Sequence, residues 1–250
     1  MVTGPVVDTA SAQEFQREIM SRISEAELRG IAADLGRKSA ALRDLLSGEP
    51  HLWDRAALRQ VLRSVFATRR HADQILDSIG PQALAKAIAE LLSAGDSVAD
   101  RIDRFEAALS SRTALDAAAG PGFDLAAELL HFTSPERYWL WTRWIWDPDV
   151  RTGALALVTT DDMDLGAGAT RGAVYLTVGR AIAFVDETGK AAGFTAAGPG
   201  LFGVDVLLAA VYGVYMYTIL RMRMTREFNR VVPPLPQLVR RLLGVYHLEG

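Results

Sequence analysis

Residues 129–146 have the sequence LLHFTSPERYWLWTRWIW and contain four of the five tryptophans of the chain: Trp139, Trp141, Trp144 and Trp146. Each large aromatic side chain can bury roughly 150–250 Å². A segment this rich in tryptophan is therefore expected to form a core, a ligand wall or a surface that docks a partner. Because any regular backbone spreads four such residues over more than one face, we expect at least two in the core and at least one at a contact surface.

The composition is that of a folded, water-compatible domain. Half of the 250 residues are hydrophobic, which is enough to build a substantial core. The net charge of −3 and the pI of about 5.8 give no overall field that attracts nucleic acid or an acidic membrane. The absence of cysteine excludes disulfides, thiolate metal sites and a cysteine nucleophile. The first residues lack the basic and apolar regions of a signal peptide, so we expect a cytoplasmic location.

Apolar residues recur at helical spacing through the first 110 residues. Leu58, Val61, Leu62 and Val65 are one example. Ser24-x-x-Glu27 has the spacing of a capping box, and Asp54 is placed as an N-cap. Five amphipathic helices are predicted, at 12–22, 25–46, 54–70, 81–93 and 97–110. A break rich in glycine and alanine then separates a helical region, 1–116, from the remainder, 117–250, and we expect the two to share one core.

The pattern beyond this break is mixed. Helices are predicted at 124–132, 135–145 and 237–243. Three β-prone runs, 154–158, 173–178 and 181–185, are separated by glycines and predict a small antiparallel sheet. The fold class predicted from the sequence is therefore α+β, mainly α, with an N-terminal amphipathic helical array, a small antiparallel sheet and a long buried C-terminal helix.

That long helix is predicted at 201–230. Residues 200–220 contain one charged side chain, Asp205, in 21 residues, a length that could also cross a membrane. The segment contains three tyrosines as well, and these hydroxyls and the carboxylate need polar partners that lipid does not supply. We therefore predict a helix buried in protein rather than a membrane span.

No established catalytic or metal-binding pattern occurs in the sequence. The four histidines are not spaced as metal ligands, and His131, at an apolar helix end, is expected to be a core histidine with satisfied hydrogen bonds. The acidic run 161–166 lacks the ligand ladder of an EF-hand. The glycine-rich run 166–172 precedes a predicted strand, whereas phosphate-binding loops follow one. We expect no cofactor and no metal, and the sequence favours a protein that is not an enzyme.

Arginines interleaved with tryptophan and tyrosine are enriched at the centres of protein interfaces. The predicted partner-binding residues are Arg137, Trp139, Trp141, Arg143, Trp144, Trp146, Arg221 and Arg223. The first functional hypothesis is a non-catalytic accessory or adaptor subunit that binds another protein, or a second copy of itself, in a cytoplasmic assembly. The structural alternative is that the arginine stems pack along apolar surface with their charged ends in water.

Two further hypotheses stay open. Gly120-x-Gly122, followed by Leu129-Leu130-His131-Phe132-x-x-Pro135-x-x-Tyr138, is similar to a short stretch of helix-hairpin-helix DNA glycosylase-like domains. In those domains a glycine turn and a helix N-terminus would meet a DNA phosphate. The resemblance implies a helical nucleic-acid-binding domain, which the acidic charge disfavours. The third hypothesis is a small-molecule-binding protein or an enzyme with an aromatic pocket.

Overall fold

The computed structural model describes residues 6–93, 95–110, 122–193, 200–223 and 233–246, without the side chains of 220–223. Ten α-helices lie within these residues. They are α1 (Thr9–Met20), α2 (Glu25–Leu45), α3 (Arg55–Ser64), α4 (Ala72–Ile79), α5 (Pro81–Leu92), α6 (Val98–Ser110), α7 (Gly122–Thr133), α8 (Arg171–Ala192), α9 (Gly203–Arg223) and α10 (Leu235–Leu242). Two short 3₁₀ turns span Pro50–Leu52 and Leu155–Leu157.

The chain forms two compact units. Unit 1 consists of Met1–Gly36, Arg143–Leu165 and Arg180–Gly250, and unit 2 of Arg37–Thr142 and Gly166–Gly179. In unit 1, α9 packs against α1 and α10. In unit 2, α5 packs against α3, α4, α6 and α7, and α6 packs against α7. The sequence-based division between 116 and 117 falls outside the described residues and stays a prediction.

The predicted N-terminal helices are confirmed as α1, α2, α3, α5 and α6. The capping box is formed: the Ser24 backbone N–H donates to Glu27 Oε2 at 3.0 Å, and the Glu27 N–H donates to Ser24 Oγ at 3.3 Å. The predicted helix over 54–70 is too long, because α3 ends at Ser64 and the separate helix α4 follows. Thr68 lies between α3 and α4. Its hydroxyl donates to the Leu62 carbonyl at 2.5 Å and closes the turn between the two helices.

The predicted α+β class is wrong, because the described residues contain no β-strand and only two isolated bridges. The run 154–158 is a loop around a 3₁₀ turn, and the runs 173–178 and 181–185 both lie in α8. Val174, Val178, Ile182 and Val185 are buried and lie three or four positions apart, so they share one face of a single helix. Packing of that face overrides the β-propensity of valine and isoleucine. The fold is all-α.

The long C-terminal helix is confirmed as α9, and the last predicted helix as α10; residues 224–230 of the prediction lie outside the described residues. Every side chain of α9 from Val204 to Val211 is buried, including that of Asp205, which is 1 % exposed. Gly213 allows the close approach of α10, since a Cβ at this position would lie 2.6 Å from Leu235 Cδ1. None of the helices in the described part of the chain is both long enough and apolar enough to cross a membrane.

Candidate partner-binding site

The tryptophan-rich segment does not form the helix predicted over 135–145. Helix α7 ends at Thr133, and the following residues run through turns and irregular backbone. His131 Nδ1 donates to the Tyr138 carbonyl at 2.8 Å, and the Tyr175 hydroxyl donates to the Trp139 carbonyl at 3.0 Å. These side-chain bonds satisfy carbonyls that a helix would have used. His131 is 1 % exposed, so its prediction as a satisfied core histidine is confirmed.

The first two tryptophans of the segment are packing residues of unit 2. Trp141 is 1 % exposed, and its ring centroid lies 4.6 Å from that of Phe123 and 6.3 Å from that of Tyr175. Burial raises the pKa of the Tyr175 hydroxyl. Trp139 is half-buried and lies against α8, where a Cβ on Gly179 would come within 3.0 Å of Trp139 Cδ1. Both rings therefore hold the segment onto its own unit.

Arg137 lies near an aromatic ring of its own unit. Its side chain is exposed, and its guanidinium carbon lies 5.5 Å from the ring centroid of Tyr138. The buried Arg101 lies at the same distance from this ring and donates to the Tyr138 hydroxyl at 2.8 Å. Arg101 also donates to the carbonyls of Leu91 and Ser93. Arg137 thus covers an aromatic ring that the protein already holds in place.

Unit 1 contains a different arrangement, a row formed by Trp144, Tyr212 and Tyr215, which we call the aromatic row. The ring centroids of Trp144 and Tyr212 are 6.3 Å apart, and those of Tyr212 and Tyr215 are 6.1 Å apart. All three side chains are half-buried, so each also reaches solvent. Partial burial raises the pKa of the Tyr212 hydroxyl, and the nearby Tyr215 and Asp147 raise it further. Tyr212 therefore stays a neutral hydrogen-bonding group in this row.

The loop that follows Trp144 holds this residue in place. The Ala154 N–H donates to the Trp144 carbonyl at 2.9 Å. Gly153 has φ +148°, and a Cβ at this position would lie 2.4 Å from the Ile145 carbonyl oxygen, so the close approach of the two backbones requires glycine. Ile145 and Trp146 are buried and anchor the loop in unit 1. Trp144 is thus a half-buried ring whose backbone is held in place by the loop that follows it.

The structure therefore separates the eight residues predicted to bind a partner. Trp141 and Trp146 are buried, which confirms the expectation of two core tryptophans, while Trp139 and Trp144 are half-buried. Within this set, Trp144 is the residue whose ring extends into the aromatic row. Of the remaining arginines, Arg143 is half-buried in unit 1, and the side chains of Arg221 and Arg223 lie outside the described residues, so their predicted role stays a prediction.

Sequence reasoning missed Tyr212 and Tyr215 as surface residues, because it treated the whole of 200–220 as buried. The available signal was their three-residue spacing, which places two side chains on one face of a helix. A second signal was the position of both tyrosines after the run Val204–Val211, which is rich in small and branched apolar residues.

Sequence reasoning also missed a buried ion pair in unit 2. Lys38 Nζ lies 2.6 Å from Glu128 Oε2, and the two side chains are 3 % and 5 % exposed. The ammonium group is also 4.2 Å from the ring centroid of Phe132. A signal was present, since Lys38 lies on the same helical stripe as the buried Leu35 and Leu42. Because both side chains are almost fully buried, we assign this pair a structural role.

No metal centre emerges from the described residues, which contain no group of three or more histidine, cysteine, aspartate or glutamate side chains placed to hold an ion. No protein family, curated protein or solved structure matches this chain. Its function must therefore be inferred from its own residues.

Proposed function

We propose that this protein is a non-catalytic accessory or adaptor subunit that binds another protein in a cytoplasmic assembly through the aromatic row. The observation that supports this proposal is that Trp144, Tyr212 and Tyr215 are half-buried and that each ring contacts the next. Tryptophan and tyrosine are the residues most enriched among interface positions that dominate binding energy. A half-buried ring has already lost much of its rotational freedom. The ring therefore loses little additional conformational entropy when a partner covers it.

The shape of the row favours a protein over a flat ligand or a nucleic-acid base. Its neighbouring rings are inclined by 42° and 37°, so they do not form the parallel-sided slot that a stacked base would need. Asp147 lies close enough to raise the pKa of Tyr212. Its carboxylate repels phosphate and suits a partner that presents apolar side chains flanked by lysine or arginine.

Site-specific photo-crosslinking tests this proposal in the cells that produce the protein. A benzophenone amino acid replaces Tyr215 in the full chain, and the matched control carries it in place of Phe184, an exposed aromatic residue of unit 1. We expect a discrete crosslinked protein from position 215 that is absent from position 184. The additional substitution Trp144→Ala should remove the product while the circular dichroism spectrum stays unchanged. Identical products from both positions, or no product from position 215, would contradict the proposal.

A further inference from the structure

A groove of ≈ 520 Å³ lies in unit 2 between the 3₁₀ turn Pro50–Leu52 and α5. Trp53, Ala85 and Ala89 supply much of its apolar lining. The Trp53 indole N–H donates to the Ser47 carbonyl at 3.1 Å. Because this polar atom is satisfied within the chain, the ring offers the groove an apolar surface. The groove is therefore suited to an apolar side chain.

Leu52 is such a side chain, and it lies directly beside the groove. It is 68 % exposed, although its chain neighbours His51 and Trp53 both line the groove. A large aliphatic side chain next to an apolar groove forms a matched pair of features on one surface. Leu52 does not fill the groove of its own molecule as the chain is folded, but it can fill the groove of a second molecule.

The charges on α5 have the same self-complementary arrangement. Lys86 and Glu90 are one helical turn apart, their side chains are 78 % and 59 % exposed, and Nζ and Oε1 are 3.8 Å apart. A two-fold axis crossing α5 midway between them would run two copies of the helix antiparallel. Lys86 of each copy would then face Glu90 of the other. The small side chains of Ala85 and Ala89, which lie on the groove side of this helix, would allow close approach.

We propose that this groove is a two-fold interface between copies of the chain. Leu52 of each copy enters the groove of the other, and Lys86 pairs with Glu90 across the axis. Such an interface uses the same surface twice, as two-fold dimers require. This inference goes beyond the proposed function and uses a different unit of the chain, so either can fail without the other.

Sedimentation equilibrium of the full-length chain tests the interface through its charges. Lys86→Glu places two carboxylates on each α5, and Glu90→Lys places two ammonium groups there. The dimer dissociation constant of each variant alone should be about tenfold or more above that of wild type, since like charges then meet across the axis. An equimolar mixture of the two should regain association, because each supplies the charges that the other lacks. Leu52→Glu should weaken the dimer in the same way.

Matched controls come from α2, where Glu25 and Arg29 form an exposed pair with the same spacing. Glu25→Lys and Arg29→Glu repeat the two charge reversals away from the groove and should leave association unchanged. Circular dichroism checks that all variants keep their helical content. A wild-type chain that remains monomeric over the accessible concentration range overturns the proposal. A dimer that is unaffected by Leu52→Glu and by both reversals on α5 overturns it as well.

Discussion

The buried ion pair of unit 2 gives a sharp quantitative prediction. Replacing Lys38 with methionine preserves much of the side-chain volume and keeps a polarisable group near Phe132. It also leaves the Glu128 carboxylate without the ammonium group that lies 2.6 Å away. Because Glu128 is 5 % exposed, water cannot compensate for this loss without local opening of the structure.

The expected cost of Lys38→Met is about 3–5 kcal/mol, the range found when one partner of a buried pair is removed. At 1.4 kcal/mol for each factor of ten, the ratio of folded to unfolded protein falls roughly 100-fold to several thousand-fold. The double variant Lys38→Met, Glu128→Met should be as stable as wild type or more stable. Its two apolar side chains fill similar volume and remove the desolvation cost of both charges.

Urea unfolding followed by circular dichroism measures both effects at neutral pH. The four proteins of the double-mutant cycle separate the interaction from the effect of each substitution alone. A cost of Lys38→Met below about 1 kcal/mol, which is the value of an exposed pair, would contradict the prediction. A double variant that loses as much stability as the two single variants together would contradict it as well.

Three further predictions concern packing, capping and the tryptophans. Gly172→Ala should lower the melting temperature sharply, because its Cβ would lie 2.1 Å from the Ala99 carbonyl oxygen, and an unchanged melting temperature would contradict this packing. Hydrogen bonds from Ser24 lower the pKa of Glu27, so this carboxylate stabilises the fold above its ordinary pKa of 4.5 and loses that effect as the pH falls through the lowered value. The melting temperature of Glu27→Gln should therefore lie below that of wild type at neutral pH and equal it at acid pH. A variant whose melting temperature is lowered equally at both pH values would be inconsistent with the capping box. Trp141→Ala should cost roughly 3–5 kcal/mol in urea unfolding, and a cost near zero would show that this ring is not core.

Five of the six helices described in the first 110 residues were predictable because their apolar spacing and their caps agree, whereas α4 was not predicted. Ser24, Glu27 and Asp54 each make the predicted capping bond. The error in α8 arose because Gly179 and Arg180 resemble a turn between two β-prone runs. The continuous spacing of Val174, Val178 and Ile182 was the better guide, since it persists across this apparent turn.

The candidate site was predictable in part. The density of tryptophan drew attention to the segment around Trp144, and the division into buried and half-buried rings was expected because a regular backbone spreads four such residues over more than one face. The partners of Trp144 could not be found in the same way. Tyr212 and Tyr215 lie 68 and 71 positions after Trp144 in the sequence, and the contact of Tyr212 with Trp144 depends on how the loop around Gly153 folds back within unit 1.

We propose that Trp144, and not the tryptophan-rich segment as a whole, binds the partner. Calorimetric titration of the crosslinked partner, once identified, against wild type, Trp144→Ala and Trp139→Ala tests this proposal. Both substituted residues are half-buried tryptophans of the same segment, and the titration is run well below the melting temperature of each variant. We expect Trp144→Ala to weaken binding by about 2 kcal/mol or more, while Trp139→Ala binds as wild type. Equal affinity of wild type and Trp144→Ala for the partner would contradict the proposal.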